Sequence, residues 1–163
     1  MELMTITAAA IMSMYMSAAH SSNNDFRYNA DIQDGRVKTQ YVYRETGNEL
    51  TPRLRYDYAY DEHDRIASRT TYLWNGLDWQ PAARWSYSYT PSGYAVELSR
   101  WNAVRRRFDG ATAKTVYTFA PDATAAYVTS FARRDDRSDY KLTDSLLAAY
   151  PQAVGPDLLA EHR

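Results

Sequence analysis

From residue 35 to residue 119 apolar and aromatic positions alternate with polar ones, and the alternation recurs with a period of about 29 residues, the length of a small supersecondary unit. Period-two alternation marks strands, because successive side chains point to opposite faces of a sheet. A shift by one period lays residues 35–60 over 64–89 without a gap, with Arg36/Arg65, Tyr43/Tyr72, Gly47/Gly76, Pro52/Pro81, Arg55/Arg84, Tyr58/Tyr87 and Tyr60/Tyr89 identical. Composition alone would give about two identities, so the overlay marks a repeat. A third copy, 93–119, has Trp101 at the Tyr72 position and Phe108 at the Trp79 position, and one added residue before Tyr117 and Phe119. Residues 120–132 begin a fourth copy and stop.

Each unit reads as two strands around a tight turn. Asn75-Gly76 is the strongest turn signal, since both residues tolerate the positive φ of a type I′ hairpin loop. Taking that pair as the loop sets Tyr72 opposite Trp79, Thr70 opposite Pro81 and Ile66 opposite Trp85. The same geometry one repeat earlier sets Tyr43 opposite Leu50 with Arg44 facing Glu49, and in the third copy Trp101 opposite Phe108. Strict alternation then predicts one aromatic face carrying Tyr41, Tyr43, Tyr56, Tyr58, Tyr60, Tyr72, Trp74, Trp79, Trp85, Tyr87 and Tyr89. The opposite face carries Arg36, Arg44, Arg55, Arg65, Arg69 and Arg84, a row of charges that keeps it wet. The added residue of the third copy needs a bulge, and Gly110-Ala111-Thr112-Ala113 is the pliable place for it.

Asp61-Glu62-His63-Asp64, Thr90-Pro91-Ser92-Gly93 and Ala120-Pro121-Asp122-Ala123 are turn-forming connections, so the units should follow one another in a meander. Beyond residue 132, Leu142, Leu146, Leu147 and Tyr150 fit a short helix capped by Thr143 or Asp144 and stopped by Pro151. At the other end, residues 3–19 form an apolar run too short and too rich in Ser and Thr for a membrane span, and Ser17-Ala18-Ala19 supplies the small residues of a signal-peptide cleavage site before His20. The expectation is an all-β chain. A signal peptide (1–19) and a short segment (20–34) precede an antiparallel meander of about seven strands built from three such hairpin repeats (35–132), and a C-terminal helical segment (133–163) follows.

Composition narrows the function classes. Fifteen tyrosines, four tryptophans and four phenylalanines suit pleated surfaces. Nineteen basic against twenty acidic residues give a net charge of −1, which offers no field for nucleic acid or an anionic membrane. The lack of cysteine removes thiol chemistry, zinc ribbons and disulfides.

The motifs Tyr60-Asp61-Glu62-His63-Asp64-Arg65-Ile66, Trp74-Asn75-Gly76-Leu77-Asp78-Trp79 and Trp85-Ser86-Tyr87-Ser88-Tyr89 resemble a family of uncharacterised secreted proteins from Bacteroides-type bacteria, which carry similar hairpin repeats behind a signal peptide. The resemblance covers about residues 1–140 and implies export to the periplasm or cell surface; it brings no assigned activity. Tyr60-Asp61 with Asp64-Arg65, and Asp34-Gly35-Arg36, are also similar in architecture to the YD repeats of bacterial surface shells.

His63 with Asp61, Glu62 and Asp64 has the residue types of a metal site, but neighbours on one turn converge poorly on one ion, and the other two connections lack the histidine. His20 and His162 lie near the termini, so no Ser-His-Asp set emerges, and Glu97 is the one obvious acid on the expected aromatic face. Arg105-Arg106-Arg107 reads as a solvated hairpin tip without a basic groove. No cofactor is called for. The reading is a non-enzymatic exported module, structural or protein-binding, of the cell envelope. The alternative is carbohydrate binding, by rings at the hairpin tips: Tyr72, Trp74, Trp79, Trp101 and Phe108.

Overall fold

The computed structural model describes residues 25–121 and 124–149. One antiparallel sheet takes in all ten strands of this region: β1 (Phe26–Gln33), β2 (Arg36–Thr46), β3 (Glu49–Tyr60), β4 (Ile66–Trp74), β5 (Trp79–Thr90), β6 (Gly93–Asn102), β7 (Arg107–Phe108), β8 (Ala113–Phe119), β9 (Ala125–Ala132) and β10 (Lys141–Ala149). They pair in chain order, with the two-residue β7 attached beside β6 and β8 continuing the main path. The architecture is the expected meander with ten strands instead of about seven. The strands not anticipated are β1 and β10, and the second strand of the third unit is divided into β7 and β8.

The largest correction concerns the C-terminal segment. Residues 141–149 form a strand and not a helix, with Leu146 against Val128 and Leu147 against Tyr127 of β9. The Leu142, Leu146, Leu147 spacing fits a helix, but β9 offers an unpaired row of backbone donors and acceptors that an extended segment satisfies. The expected signal peptide, Tyr150 and Pro151 lie outside the described residues.

The turns follow the local chemistry. Asp34 (φ 52°) and Gly35 (φ 73°) form a two-residue loop between the paired Gln33 and Arg36, with the positive φ at both positions that a type I′ hairpin needs. At Asn75-Gly76 the expected two-residue loop does not form. The Asn75 Oδ1 accepts the backbone N–H groups of Leu77 and Asp78, both at 2.9 Å, and so closes a four-residue loop. Trp74 therefore pairs with Trp79 and Tyr72 with Pro81. In the first unit the loop is Gly47-Asn48, so Tyr43 meets Pro52, Leu50 meets Glu45 and Arg44 meets Thr51. The expected pairs Tyr43–Leu50, Tyr72–Trp79, Arg44–Glu49 and Ile66–Trp85 are thus corrected; Trp101–Phe108 pairs as expected.

A second correction changes the faces. The β2–β3 register shifts between Val42 and Tyr43, skipping Arg53, and the β4–β5 register shifts between Thr71 and Tyr72, skipping Ala82. The two bulges occupy the same place in successive repeats, and each reverses the in–out alternation beyond it. The aromatic residues therefore divide. Tyr56, Tyr58, Trp85, Tyr87 and Tyr89 share one face with Tyr94, Tyr117 and Phe119; Tyr41, Tyr43, Tyr72, Trp74 and Trp79 occupy the other with Trp101 and Phe108. The extra residue of the third unit is absorbed where expected. Strand pairing breaks over Asp109–Thr112, so Asp109 N–H reaches the Arg100 carbonyl and Thr112 N–H the Leu98 carbonyl. Tyr117 then stacks on Tyr94 with ring centres 4.6 Å apart.

Few side chains are fully enclosed. Val37 (0% exposed) and Ile66 (2%) form the centre of the core, with Ala30, Tyr58, Tyr60 and Tyr87 packed against them. A clamp recurs over this pair: the Tyr60 hydroxyl donates to the Val37 carbonyl at 2.8 Å, and one repeat further on the Tyr89 hydroxyl donates to the Ile66 carbonyl at 2.9 Å. The third unit has Phe119 there and no hydroxyl. At Gly93 a Cβ would lie 1.9 Å from the Tyr117 carbonyl oxygen, so the close approach of β6 and β8 requires glycine.

Candidate functional site

With all strands in one sheet, the rings are covered by side chains of that sheet, and arginines are the cover. Arg36 lies over Tyr60 and Arg65 over Tyr89, guanidinium to ring centre 5.7 and 4.4 Å. Arg55 lies over Tyr72 at 4.0 Å and Arg84 over Phe108 at 4.3 Å. A guanidinium plane shields a ring while keeping an edge in water, so it substitutes for a second layer and adds a cation–π attraction of about 0.5–1 kcal/mol. Of the arginines expected on a separate charged face, Arg36, Arg55, Arg65, Arg69 and Arg84 are seated over rings, with Arg55 and Arg84 on the face of the tip rings and Arg69 on the other.

The five rings expected at a contact site share a face and form two groups. Trp74 meets Trp79 edge-on, with centres 5.1 Å apart and planes at 61°, and Tyr41 adjoins Trp79 at 6.1 Å and 53°. Tyr72 lies under Arg55, which also ion-pairs Asp57 at 2.9 Å. Trp101 and Phe108 form the second group, 5.0 Å apart at 69°. All five are half-buried, as are Tyr58, Trp85 and Tyr87 at the sheet centre, so tip and centre rings fall in the same class of exposure. Sequence reasoning put Tyr41 on one face with Tyr72, Trp74 and Trp79 but did not include it among the contact rings, and it missed Arg55 and Arg84 because only the bulges bring them onto this surface.

Burial dominates the titration of the other face. It pushes the Tyr58 and Tyr89 hydroxyls up to about 12, and it raises Tyr56 and Tyr87 against the opposing pull of the Arg69 cation. At the 61–65 turn, burial alone would raise the Asp61 carboxyl. Hydrogen bonds from the Arg65 side chain and from the backbone of Arg65 and His63 hold it below the usual carboxylate range. His63 is exposed, with Glu62 at 3.8 Å, and no group of three or more metal-ligating side chains occurs among the described residues. Glu97 lies 3.8 Å from Lys114. Arg105 and Arg107 line a polar cleft of about 490 Å³ with Arg134, Asp135, Asp136 and Arg137.

This repeat sheet has relatives. A family model described as a family of unknown function, DUF3836, matches residues 1–119, ending on the last residue of β8. The chain belongs to the DUF3836 family. A crystal structure of a protein with unknown function from Bacteroides fragilis is similar at 21% identity and TM-score 0.68, covering 77% of this chain and 94% of that one. DUF3836 proteins from Parabacteroides distasonis (18% identity, TM-score 0.53, 59% and 92% covered) and Bacteroides vulgatus (22%, 0.51, 52% and 89%) share the fold. No curated protein matches. Among the described residues no helix is long and apolar enough to cross a membrane.

Proposed function

We propose that this DUF3836 protein is an exported, non-enzymatic module that binds another protein of the cell envelope through the open end of its sheet. The observation that carries the reading is the run of exposed apolar side chains on the last two strands: Tyr127 on β9, and Leu142, Leu146 and Leu147 on β10. Among the described residues β10 pairs with β9 alone, and an apolar strand edge without a second neighbour is a surface on which a partner strand gains both hydrogen bonds and burial. The apolar leader with Ser17-Ala18-Ala19 supports export. Local use of the acids supports a non-enzymatic role: Asp61, Asp109 and Asp135 each hold hydrogen bonds within their own turns.

The carbohydrate reading is weaker, because sugar faces stack on open, coplanar rings, whereas the tip rings lie at 53° to 69° to one another and Arg55 and Arg84 already occupy Tyr72 and Phe108. The test places a photo-crosslinking residue at Leu147, and at Ser88 as control, in the native host. A discrete protein adduct at Leu147 alone is the expected result, with a mature chain beginning at His20 by intact mass. Retention on a polysaccharide panel that Trp74→Ala abolishes, with no adduct at Leu147, would favour the sugar reading instead.

A further inference from the structure

On the face opposite the tip rings, at the middle of the sheet, Arg69 is a cation without a counter-charge among the described residues. Its guanidinium lies 5.1 Å from the Tyr56 ring and 5.7 Å from the Trp85 ring, and its Nε is buried with no hydrogen-bond partner. Among the described residues it has no ion pair, whereas Arg55 on the opposite face has Asp57. Its neighbours across the sheet are Tyr58 on β3 and Trp85 on β5, neither of which carries charge to offset it. A half-buried guanidinium has lost part of its hydration, and an opposing carboxylate would recover more of that loss than ring faces can.

The repeat supplies an independent argument. The equivalents of Arg69 in the preceding and following repeats are Gln40 and Leu98, both in strands of the same sheet. The fold therefore accepts an amide or an alkyl group at this place, and the cation is not needed to form the unit. We propose that Arg69, framed by Tyr56, Tyr58, Tyr87 and Trp85, receives an Asp or Glu carboxylate from an acidic segment of a partner protein, an inference that rests on the protein-binding reading above and adds a second, charge-reading surface to it. Charge complementarity selects this occupant. A carboxylate accepts two parallel N–H donors from a guanidinium, and the surrounding rings exclude water from the pair.

The probes are a hexaglutamate peptide, a hexaglutamine peptide and an oligogalacturonate, each titrated into the intact chain and followed in NMR by the Arg69 Nε–H signal and by the indole N–H of Trp85, 5.7 Å from the guanidinium, which remains in every Arg69 variant. Hexaglutamate should bind, hexaglutamine should not, and rising salt should weaken the binding. Arg69→Gln and Arg69→Leu copy the residues of the neighbouring units; each should keep or raise the unfolding midpoint while weakening hexaglutamate binding at least about tenfold. Hexaglutamate binding that survives both substitutions, or no binding at millimolar peptide, overturns the inference. If the Leu147 adduct still forms in that case, the protein-binding reading stands and only the Arg69 site falls. Preference for oligogalacturonate through Arg69, with no adduct at Leu147, overturns both.

Discussion

Tyr89→Phe deletes one hydroxyl and leaves the ring, so it isolates the bond from Tyr89 to the Ile66 carbonyl at 2.9 Å. Ile66 is 2% exposed and sits at the centre of the core, so its carbonyl gains little from water when the phenol is gone. A hydrogen bond of this kind contributes about 0.5–1.5 kcal/mol net, and the half-buried setting places the loss at about 1–1.5 kcal/mol. For a domain of this size that lowers the thermal midpoint by about 3–6 °C. Tyr60→Phe, which removes the equivalent bond to Val37 at 2.8 Å, should cost about the same. Tyr60 and Tyr89 stand two strands apart, about 10 Å, so the double substitution should be additive within about 0.5 kcal/mol. Urea unfolding followed by tryptophan fluorescence measures all three. Losses below about 0.3 kcal/mol in both single variants would refute the view that the repeated hydroxyl clamp, and not the ring alone, secures each unit.

Ile66→Ala should cost about 2–4 kcal/mol in the same assay, because it opens a cavity at the centre of a core with few enclosed side chains; a cost under about 1 kcal/mol would show that the half-buried rings, and not Ile66, hold the sheet. Alkaline stability should follow the tyrosines. Burial raises Tyr58 and Tyr89 from 10.0 to about 12 in the folded state. The neutral phenols therefore contribute their full stabilisation below pH 10 and lose it as pH rises towards 12. Absorbance at about 295 nm, where the phenolate absorbs, should show late-titrating tyrosines coinciding with loss of the strand signal in circular dichroism; titration of every tyrosine near its ordinary pKa with the sheet intact would contradict it.

The repeat was legible because it leaves identical residues at one spacing; the exact loops, Asp34-Gly35 and Gly47-Asn48, were not, because several neighbouring residues tolerate a turn and strand pairing chooses among them. Nor was the division of the rings between two faces. A bulge at Arg53 or Ala82 needs no special residue, and its effect on facing is set by strand pairing across the sheet. The ring–arginine pairs were hidden for the same reason: Arg55 reads as the polar partner of Tyr56 until the bulge turns it towards Tyr72. At the C-terminus the leucine spacing fits a helix, and only the free edge of β9 decides for a strand. The tip rings Tyr72, Trp74 and Trp79 were placed on one side correctly, since a register error of two residues preserves facing.

Pairing in chain order has a consequence for how such a protein can change. Each hairpin leans on the hairpins before and after it and on little else, so the free energy of the whole is close to a sum over adjacent pairs, as in a one-dimensional array. Loss or duplication of one whole repeat would delete or add two strands and leave the remaining interfaces matched, because both cut ends fall at the same point of the unit. The sheet is therefore a length that can be edited in whole steps, and its two outer strands among the described residues, β1 and β10, are where opening begins and where any extension would attach.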